Sequence, residues 1–316
     1  MLVYTVKRLG LSVAIILVAT AVLFVMVFAI PGDPVSVALG PRASPSVVEA
    51  FRERMGLDQP LPIQMLRFYG NLLTGNLGHD VLSGRSVATM VLEQLPYSLT
   101  LIAGAMVWSV ALGVPLGCYA AMRRGSAVDS IVGVLSVGTI AIPSFVVAIY
   151  LLLIFAIGLG WLPAIGAGRS GEFGDQLVHL ILPSLAVGLG WVGYLARMVR
   201  STMLEVMGES HIRMAHAFGL PPRLVIFKYA LRIAILPTLT LLGLGIGQML
   251  SGTVFAEIVF ARPGVGQLVY DAVSVRNYPV VTGAVLVTTA FYVLATLAAD
   301  LLVASLDPRI RTSLRQ

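Results

Sequence analysis

Charged side chains are scarce in this sequence. Only 11% of its 316 residues are Asp, Glu, Lys or Arg, whereas 58% are hydrophobic, and the mean hydropathy is +0.93. A soluble globular domain carries about 25% charged residues, so this chain cannot cover a water-facing surface of its size with polar groups. It is also too apolar to be disordered. The composition therefore predicts an all-α polytopic membrane protein.

Cysteine and lysine are nearly absent, which removes several classes of site. The one cysteine, Cys118, excludes a disulfide framework within the chain and any metal site built from cysteines. Neither Lys7 nor Lys228 follows a glycine, so the chain lacks the GxxxxGK[ST] phosphate loop of many ATPases. The HExxH zinc motif and the GxSxG nucleophile elbow are missing too. We expect no catalytic residue, no cofactor and no metal ion in this chain.

The sequence argues against two other classes of membrane protein. A membrane-embedded protease needs a Ser/His or paired-Asp arrangement, and the apolar stretches supply neither. An autonomous ion-driven carrier needs buried charges near the midplane and usually a repeated half. Glu257 and Asp300 are the carboxylates of the apolar stretches, but both lie within about two helical turns of an interface. We therefore expect structural roles for both, and no internal repeat is visible.

Six apolar stretches reach the roughly 20 residues that a helix needs to cross a bilayer. The predicted transmembrane helices are 9–30, 95–121, 131–159, 177–195, 233–260 and 279–305. With the N-terminus in the cytoplasm, the inner segments hold 13 basic and four acidic residues, a net charge of +9. The outer segments then hold eight basic and nine acidic residues, a net charge of −1. Basic residues accumulate on the cytoplasmic side, so both termini are predicted to be cytoplasmic, and the positive charge indicates topology rather than nucleic-acid binding.

These spans divide the chain into four parts. We predict an N-terminal segment with the first span (1–30), an extracytoplasmic helical segment (31–94), a core of five spans (95–305) and a cytoplasmic tail (306–316). In the segment 31–94, Ser46 and Glu49 form a capping box for one helix that Gly56 ends, and Pro62 opens a second that ends near Gly75. This segment is expected to form a small helical cap on the outer face.

The connection 197–232 is too polar to span a membrane and is predicted to lie in the cytoplasm. Gly208 and the run Gly219-Leu220-Pro221-Pro222 should break it into short helices. The helix between these breaks is amphipathic and is flanked by Arg213 and Arg223. From the pattern alone it is equally well a docking element or an interfacial helix on acidic lipid.

Glycine and proline are placed where membrane helices bend or pack closely. The run 113–117 is predicted to interrupt the second span, and 142–145 the third. Gly243, Gly245 and Gly247 form a small-residue face in the fifth span. Such devices fit a translocation pathway and ordinary bundle packing equally well.

The stretch Met207–Pro237 resembles the signature loop of ATP-binding-cassette (ABC) importer permeases, and more narrowly that of the dipeptide, oligopeptide and nickel permease family. Further short motifs of that family follow in the expected order over nearly the whole chain. The outer turn Pro31-Gly32-Asp33-Pro34 is similar to that of the first of the two permeases in such systems. The motifs are Tyr4–Leu9, Ile30–Val35, Met55–Pro60, Ile142–Phe145, Gly160–Pro163, His179–Pro183, Phe260–Gly266, Arg276–Val280 and Leu306–Arg309.

The resemblance implies a type I ABC importer permease fold with six transmembrane helices, in a prokaryotic inner membrane. It also implies four protein partners and a surround of membrane lipid: a second, homologous permease, two cytoplasmic ABC ATPases and an extracytoplasmic substrate-binding protein. Peptides are the implied substrate class, with glutathione and nickel as alternatives, since all these importers share the motifs.

Within this resemblance, the loop near Gly219 would couple ATP binding to the spans. Met214, His216 and Phe218 stand where the family usually carries Thr, Arg and Lys, so the surface facing the ATPase is less basic than usual. Ile212 and Phe218 are expected to be the anchors, and Ala215 to allow close approach. The candidate coupling residues are Glu209, His211, Ile212, Arg213, Ala215, His216, Phe218, Gly219 and Leu220, and the candidate pathway residues are Pro143, Ser144, Phe145, Gly243 and Gly247.

Overall fold

The computed structural model describes residues 2–29, 44–55 and 58–306. Within these ranges the chain is helical, and its one β-bridge joins His79 to Ser86. The turn 31–34, the helix stop at Gly56 and the tail beyond Leu306 lie outside the described residues. The helices are α1 (Leu2–Ala29), α2 (Pro45–Met55), α3 (Leu61–Leu73), α4 (Val87–Met122), α5 (Ala127–Ala141), α6 (Ser144–Gly158), α7 (Phe173–Met207), α8 (Ser210–Ala217), α9 (Pro222–Ala234), α10 (Leu236–Val259), α11 (Val265–Ser274) and α12 (Tyr278–Leu306).

Among the residues that the structure describes, four helices are long and apolar enough to cross a membrane on their own. They are α4, α7, the stretch Leu9–Met26 of α1 and the stretch Tyr278–Ala299 of α12. Two pairs meet the same criterion jointly although they are bent, by 101° between α5 and α6 and by 44° between α9 and α10. Counting each pair as one span gives six, which agrees with the predicted all-α polytopic architecture.

The bend between α5 and α6 follows from Pro143. A residue before proline is pushed out of the helical conformation, and Ile142 has extended angles, φ −84° and ψ 122°. Pro143 then precedes the first residue of α6. The predicted break in the third span is therefore present, and it turns the chain rather than merely kinking it. From Leu152 to Gly158, α6 continues as a π-helix.

The predicted interruption of the second span at 113–117 is wrong. Helix α4 runs without a break for 36 residues, starting at Val87 rather than Leu95. Its glycines serve close packing instead. A Cβ atom added at Gly113 would lie 2.9 Å from the Cβ of Leu195, and one added at Gly117 would lie 2.8 Å from the Cβ of Val199. The absence of side chains lets α4 and α7 pack backbone against backbone.

Helix α7 is longer than the sequence predicted. It was expected to end at Leu195, but it continues to Met207, so the first third of the predicted loop 197–232 is helical. Arg200 does not end the helix because its guanidinium is paired with the carboxylate of Asp129 on α5. The charge that argued against a continued helix is thus neutralised by a tertiary contact.

Helices α2 and α3 occur where the sequence predicted helices, but the capping box at Ser46 and Glu49 is wrong. The residue before α2 is Ser44, whose carbonyl oxygen accepts the N–H groups of Val47 and Val48 at 3.0 and 3.1 Å. Pro45 takes the first helical position, where its missing N–H costs nothing. Helix α3 begins beside Pro62 and is followed by Gly75 with φ +75°, as predicted. Helix α11 was not predicted.

The chain forms two compact units. Of the described residues, 99–262 and 295–306 form one unit, and 2–29, 44–55, 58–98 and 263–294 form the other. In the first, α7 packs along α5, α6 and α10. Gly193 lets α7 approach α5, because a Cβ atom there would lie 2.7 Å from the carbonyl oxygen of Ser136, and Gly188 lets α7 approach α4, because a Cβ atom there would lie 2.7 Å from the carbonyl oxygen of Ala105.

The second unit has its own apolar core. Val87 and Val91 of α4 are fully buried there with Val265 of α11 and Ala284 of α12. Residues of α1 and α3 pack against the same cluster. A buried polar group joins two loops at its edge: Asp80 accepts hydrogen bonds from the side chains of Ser83 and Asn277 and from the N–H groups of Leu82 and Ser83.

Candidate functional site

The predicted coupling segment is a short helix between two turns. Helix α7 ends at Met207, with Gly208 closing its last turn through an N–H bond to the carbonyl of Glu205 at 3.1 Å. Helix α8 then covers eight residues, Ser210–Ala217. Both breaks that the sequence predicted, at Gly208 and around Gly219, are present.

The end of α8 is a complete left-handed cap. Gly219 has φ +73°, and its N–H donates to the carbonyl of His216 at 2.9 Å. The N–H of Leu220 donates to the carbonyl of Ala215 at 3.3 Å. These two bonds are the Schellman pattern, in which a glycine just past the helix reverses the chain and satisfies the last carbonyls. Leu220 and Ala215 both lie against the same apolar cluster, the contact that usually accompanies this cap.

The inward face of α8 holds the helix on the chain's own core. Ile212 is fully buried and Ala215 is 8% exposed. They pack in a cluster with Met203 of α7 and with Val225 and Ile226 of α9. The role expected for Ile212 is therefore revised: it cannot anchor a partner protein because no part of it reaches the surface. Ala215 likewise allows α8 to approach its own chain.

The outward face of α8 is both charged and apolar. Met214 is 59% exposed and Phe218 is 79% exposed, one helical turn apart on the same side. Arg213 and His216 are exposed beside them. Two large apolar side chains on a charged surface are the usual anchors of a protein contact. The sequence analysis did not single out Met214 as an exposed apolar residue of this face, although its spacing of four residues from Phe218 was available in the sequence.

A pair of oppositely polar side chains, Glu209 and His211, lies at the start of α8. The Glu209 carboxylate lies 3.0 Å from Nδ1 of His211, and both side chains are about half exposed. Such exposed pairs contribute little to stability.

The helices behind α8 are firmly joined. Thr202 of α7 donates to the carbonyl of Ala234 in α9 at 3.0 Å. On the neighbouring helix α5, Asp129 accepts two bonds from Arg200, the second from Nη2 at 2.7 Å, and a third from the N–H of Gly125 at 3.0 Å. A displacement of α8 would thus reach α7 and α9, and through α7 also α5.

A cavity of about 380 Å³ lies at the break between α5 and α6. Its volume falls within the range of small-molecule sites, about 300–1,000 Å³. Trp191 and Tyr194 meet there edge to face, with ring centroids 5.3 Å apart. The walls come from α5, α6, α7 and α10, and the lining residues with polar side-chain atoms are Thr139, Ser144, Trp191, Tyr194 and Gln248.

The candidate pathway residues fall into two groups. Pro143 and Ser144 line the cavity. Phe145 packs against Phe255 of α10 with ring centroids 5.8 Å apart. A Cβ atom at Gly243 would overlap Ala299 of α12, so this glycine permits helix contact, and Gly247 is half-buried on α10. Trp191, Tyr194 and Gln248 were missed; a lone glutamine in an apolar span was the available signal.

Comparison with known proteins agrees with this architecture. Residues 113–312 match the family described as "Binding-protein-dependent transport system inner membrane component". Residues 1–102 match its companion, "Binding-prot-dependent transport system membrane comp, N-term". Together the two matches cover nearly the whole chain.

Individual relatives extend over the full length. The "Glutathione transport system permease protein GsiC" of Salmonella paratyphi A is 36% identical over 311 residues, which cover 98% of this chain and 99% of the relative. The "Probable peptide ABC transporter permease protein y4tP" of Sinorhizobium fredii is 35% identical over 310 residues, with the same coverage.

A solved structure shows the same fold at lower identity. An inward-facing structure of the MetNI methionine ABC transporter has a TM-score of 0.56 and 16% sequence identity, covering 69% of this chain and 96% of the other. Together with the family match over residues 113–312 and the full-length relatives, this likeness shows that the chain belongs to the binding-protein-dependent transport system inner membrane components and is the permease subunit of an ABC importer.

Proposed function

We propose that this permease forms half of the translocation pathway of an importer for short peptides, with the tripeptide glutathione as one member of that class. The observation that carries the proposal is identity of 35–36% over 98% of the chain with permeases named for glutathione and for peptides. The matched region covers 98% of the chain, so it includes the helices that line the cavity as well as the loops.

The cavity at the bend between α5 and α6 is the proposed substrate contact within this chain. Its walls combine apolar surface with the ring edges of Trp191 and Tyr194 and the amide of Gln248. An amide can both donate to and accept from a peptide bond. Aromatic rings cover apolar side chains at low conformational cost. This mixture suits peptides of varied sequence better than it suits a bare metal ion.

The outward face of α8 is the proposed docking site for an ATPase subunit. Phe218 and Met214 would enter an apolar cleft, with Arg213 and His216 at its rim. The support is their exposure on a helix whose opposite face is fully packed. A second permease, a second ATPase and an external binding protein would complete the importer. ATP binding would move α8, and α7 and α9 would transmit that motion to the cavity.

Both termini and α8 are proposed to be cytoplasmic, and α2 and the turn around Ser83 extracytoplasmic. The charge difference between the two sides supports this, since basic residues accumulate in the cytoplasm. The same orientation would put the docking face of α8 on the side where ATP is available.

The substrate is tested with the whole importer reconstituted in vesicles. Uptake of radiolabelled glutathione, a dipeptide and a pentapeptide is measured with and without ATP, each in competition with the others and with Ni²⁺. ATP-dependent uptake of at least one peptide, unaffected by Ni²⁺, is expected. Uptake of Ni²⁺ with no peptide uptake would overturn the peptide proposal.

The proposed docking face is tested by replacing its two exposed apolar residues with alanine and measuring copurification of the ATPase. Phe218→Ala and Met214→Ala should each weaken copurification of the ATPase by roughly tenfold, as for other interface anchors. Leu135→Ala is the matched control, because Leu135 is 61% exposed on α5, away from the loop. Copurification equal to that of the control for both variants would remove α8 from the interface.

A further inference from the structure

Helix α3 contacts a part of α1 that crosses the membrane. The hydroxyl group of Tyr69 donates a hydrogen bond to the carbonyl oxygen of Leu17 at 2.8 Å. Leu17 lies near the middle of the stretch Leu9–Met26, about 12 Å along the helix from Leu9 at 1.5 Å per residue. Phe68 packs against Phe24 with ring centroids 6.1 Å apart. A helix lying wholly above the membrane could not reach these positions.

The apolar core under α3 is shared with two helices that cross the membrane. Phe68 and Leu72 pack against a cluster that contains Val91 of α4 and Leu286 of α12. Both α4 and the start of α12 belong to helices that cross the membrane. These contacts argue against the sequence-based expectation that α3 lies as a helical cap on the outer surface.

The free surface of α3 is divided into an apolar and a polar edge. Ile63, Leu66 and Leu73 are 45, 68 and 91% exposed and lie along one edge at helical spacing. Arg67 and Asn71 are exposed along the other edge, one turn apart. An exposed apolar edge is costly in water and favourable in lipid.

The two contacts with α1 indicate which edge of α3 lies deeper in the membrane. On a helical projection at about 100° per residue, Tyr69 lies next to the apolar edge and Phe68 on the opposite side, toward Arg67 and Asn71. Tyr69 reaches Leu17 near the centre of the membrane stretch, whereas Phe68 meets Phe24 near its end. The apolar edge is therefore the deeper one, and the polar edge faces the nearer membrane surface.

We propose that α3 is embedded in one leaflet of the membrane and binds phospholipid. Ile63, Leu66 and Leu73 contact acyl chains, and Arg67 and Asn71 reach the phosphate headgroups above them. A cation at this depth pairs with lipid phosphate while its aliphatic stem stays in the apolar layer. The proposal does not depend on the substrate or on the ATPase contact.

The test measures the depth of single nitroxide labels in the complete importer. A Cys118→Ala chain carries one cysteine in place of Leu66, Leu73, Ile63 or Arg67, in vesicles of phosphatidylethanolamine and phosphatidylglycerol. Power-saturation spectra are recorded with oxygen, which concentrates among acyl chains, and with a water-soluble nickel chelate. Val18, 63% exposed on α1 inside the membrane stretch, and Glu49, exposed on α2, are the matched reference positions.

The proposal expects labels at the three apolar positions to behave like the label at Val18, with oxygen collisions exceeding those of the nickel chelate. The label at Arg67 should lie between Val18 and Glu49. Preference for the nickel chelate at Leu66 and Leu73, as at Glu49, would place α3 in water and overturn the proposal. Low accessibility to both reagents would show that protein covers this edge, which would overturn it as well.

Discussion

Gly219 shows how one backbone angle sets the shape of the coupling loop. Its φ of +73° belongs to the left-handed region, which costs an L-residue roughly 1–2 kcal/mol. A Cβ atom there would meet nothing within 4 Å. The effect of a side chain must therefore come from the backbone alone and not from a clash.

We expect Gly219→Val to disturb the cap and to reduce both ATPase copurification and uptake. Valine is β-branched and is among the residues least suited to a positive φ. Gly219→Asn is the matched control, because asparagine adopts this conformation readily. Both quantities should be measured on the same preparation. Equal losses in the two variants, or wild-type values in both, would contradict a role for the backbone angle.

Asp80 is the second residue whose effect can be stated in advance. Burial alone would raise its pKa, but hydrogen bonds from Ser83, Asn277 and the N–H groups of Ser83 and Leu82 outweigh it, so the pKa lies below its ordinary value of 3.8. A carboxylate with a lowered pKa stabilises the fold above its ordinary pKa, and this stabilisation is lost as the pH falls through the folded-state value.

Asp80→Asn should therefore destabilise the protein at neutral pH by about 1–3 kcal/mol, because an amide N–H₂ would replace an oxygen that accepts bonds. Thermal unfolding in detergent measures the difference. It should stay constant down to about pH 4 and shrink below that, where the wild-type carboxylate also takes up a proton. Asp271→Asn, exposed on α11, is the control. If the stability difference between the two proteins is unchanged at acidic pH, the destabilisation comes from the altered shape of the side chain and not from the lost negative charge.

At the scale of the helices, small residues decide how closely α4 and α7 approach. A Cβ atom at Gly117 would overlap the carbonyl oxygen of Ala196 and lie 2.8 Å from the Cβ of Val199. At Gly133 of α5 nothing lies within 4 Å. Substitutions at these two positions therefore distinguish the effect of helix–helix contact from the effect of helix propensity.

Gly117→Ala should destabilise the protein by about 1–3 kcal/mol, because α4 and α7 must move apart. Gly133→Ala should be neutral or stabilising, by up to about 1 kcal/mol, since alanine restricts the unfolded chain and meets no neighbour. Thermal unfolding of both variants in the same detergent measures these effects. A similar change in both proteins would mean that the glycines act through backbone flexibility and not through contact.

The sequence predicted the existence of the helices better than their lengths. Hydropathy identifies the part of a helix that lies in lipid, so it located α4 and α7 but not their polar ends. Arg197 and Arg200 resembled the start of a loop. Whether a helix continues past such residues depends on a partner such as Asp129, 71 positions away in the chain, and periodicity contains no information about it.

The candidate site was predicted in part: the ends of α8 followed from the sequence, but its buried face and most of the cavity did not. Gly208, Gly219 and the two prolines mark the ends of α8 through local conformational preference alone. Which apolar residue of α8 faces inward was not predictable, because Ile212 and Phe218 are equally apolar and the choice depends on the cluster beneath them. The cavity combines residues from four helices, so only Pro143 and Ser144, at the break itself, were found in advance.

At the scale of the whole molecule, the orientation in the membrane is the remaining prediction. Inner segments with a net charge of +9 and outer segments with −1 predict cytoplasmic termini and a cytoplasmic α8. Ser210 and Ser126 are predicted to be inside, and Glu49 and Ser83 outside. Of these, Ser210, Glu49 and Ser83 are exposed, so a cysteine at each would be open to solvent, although at Ser83 it would also replace the hydroxyl that bonds to Asp80.

Single cysteines at Ser210, Glu49 and Ser83 in a Cys118→Ala chain should therefore react differently in intact cells. A thiol reagent that does not cross the membrane should label the last two positions at once and Ser210 only after the cells are opened. Cys118 is the one cysteine of the chain, so replacing it with alanine removes the background thiol. The residue is buried, and alanine leaves a small side chain in the same core. Labelling of the cysteine at Ser210 in intact cells, with those at Glu49 and Ser83 protected until lysis, would indicate the opposite topology. The docking face of α8 would then lie on the side without ATP, and the coupling proposal would fall together with the orientation.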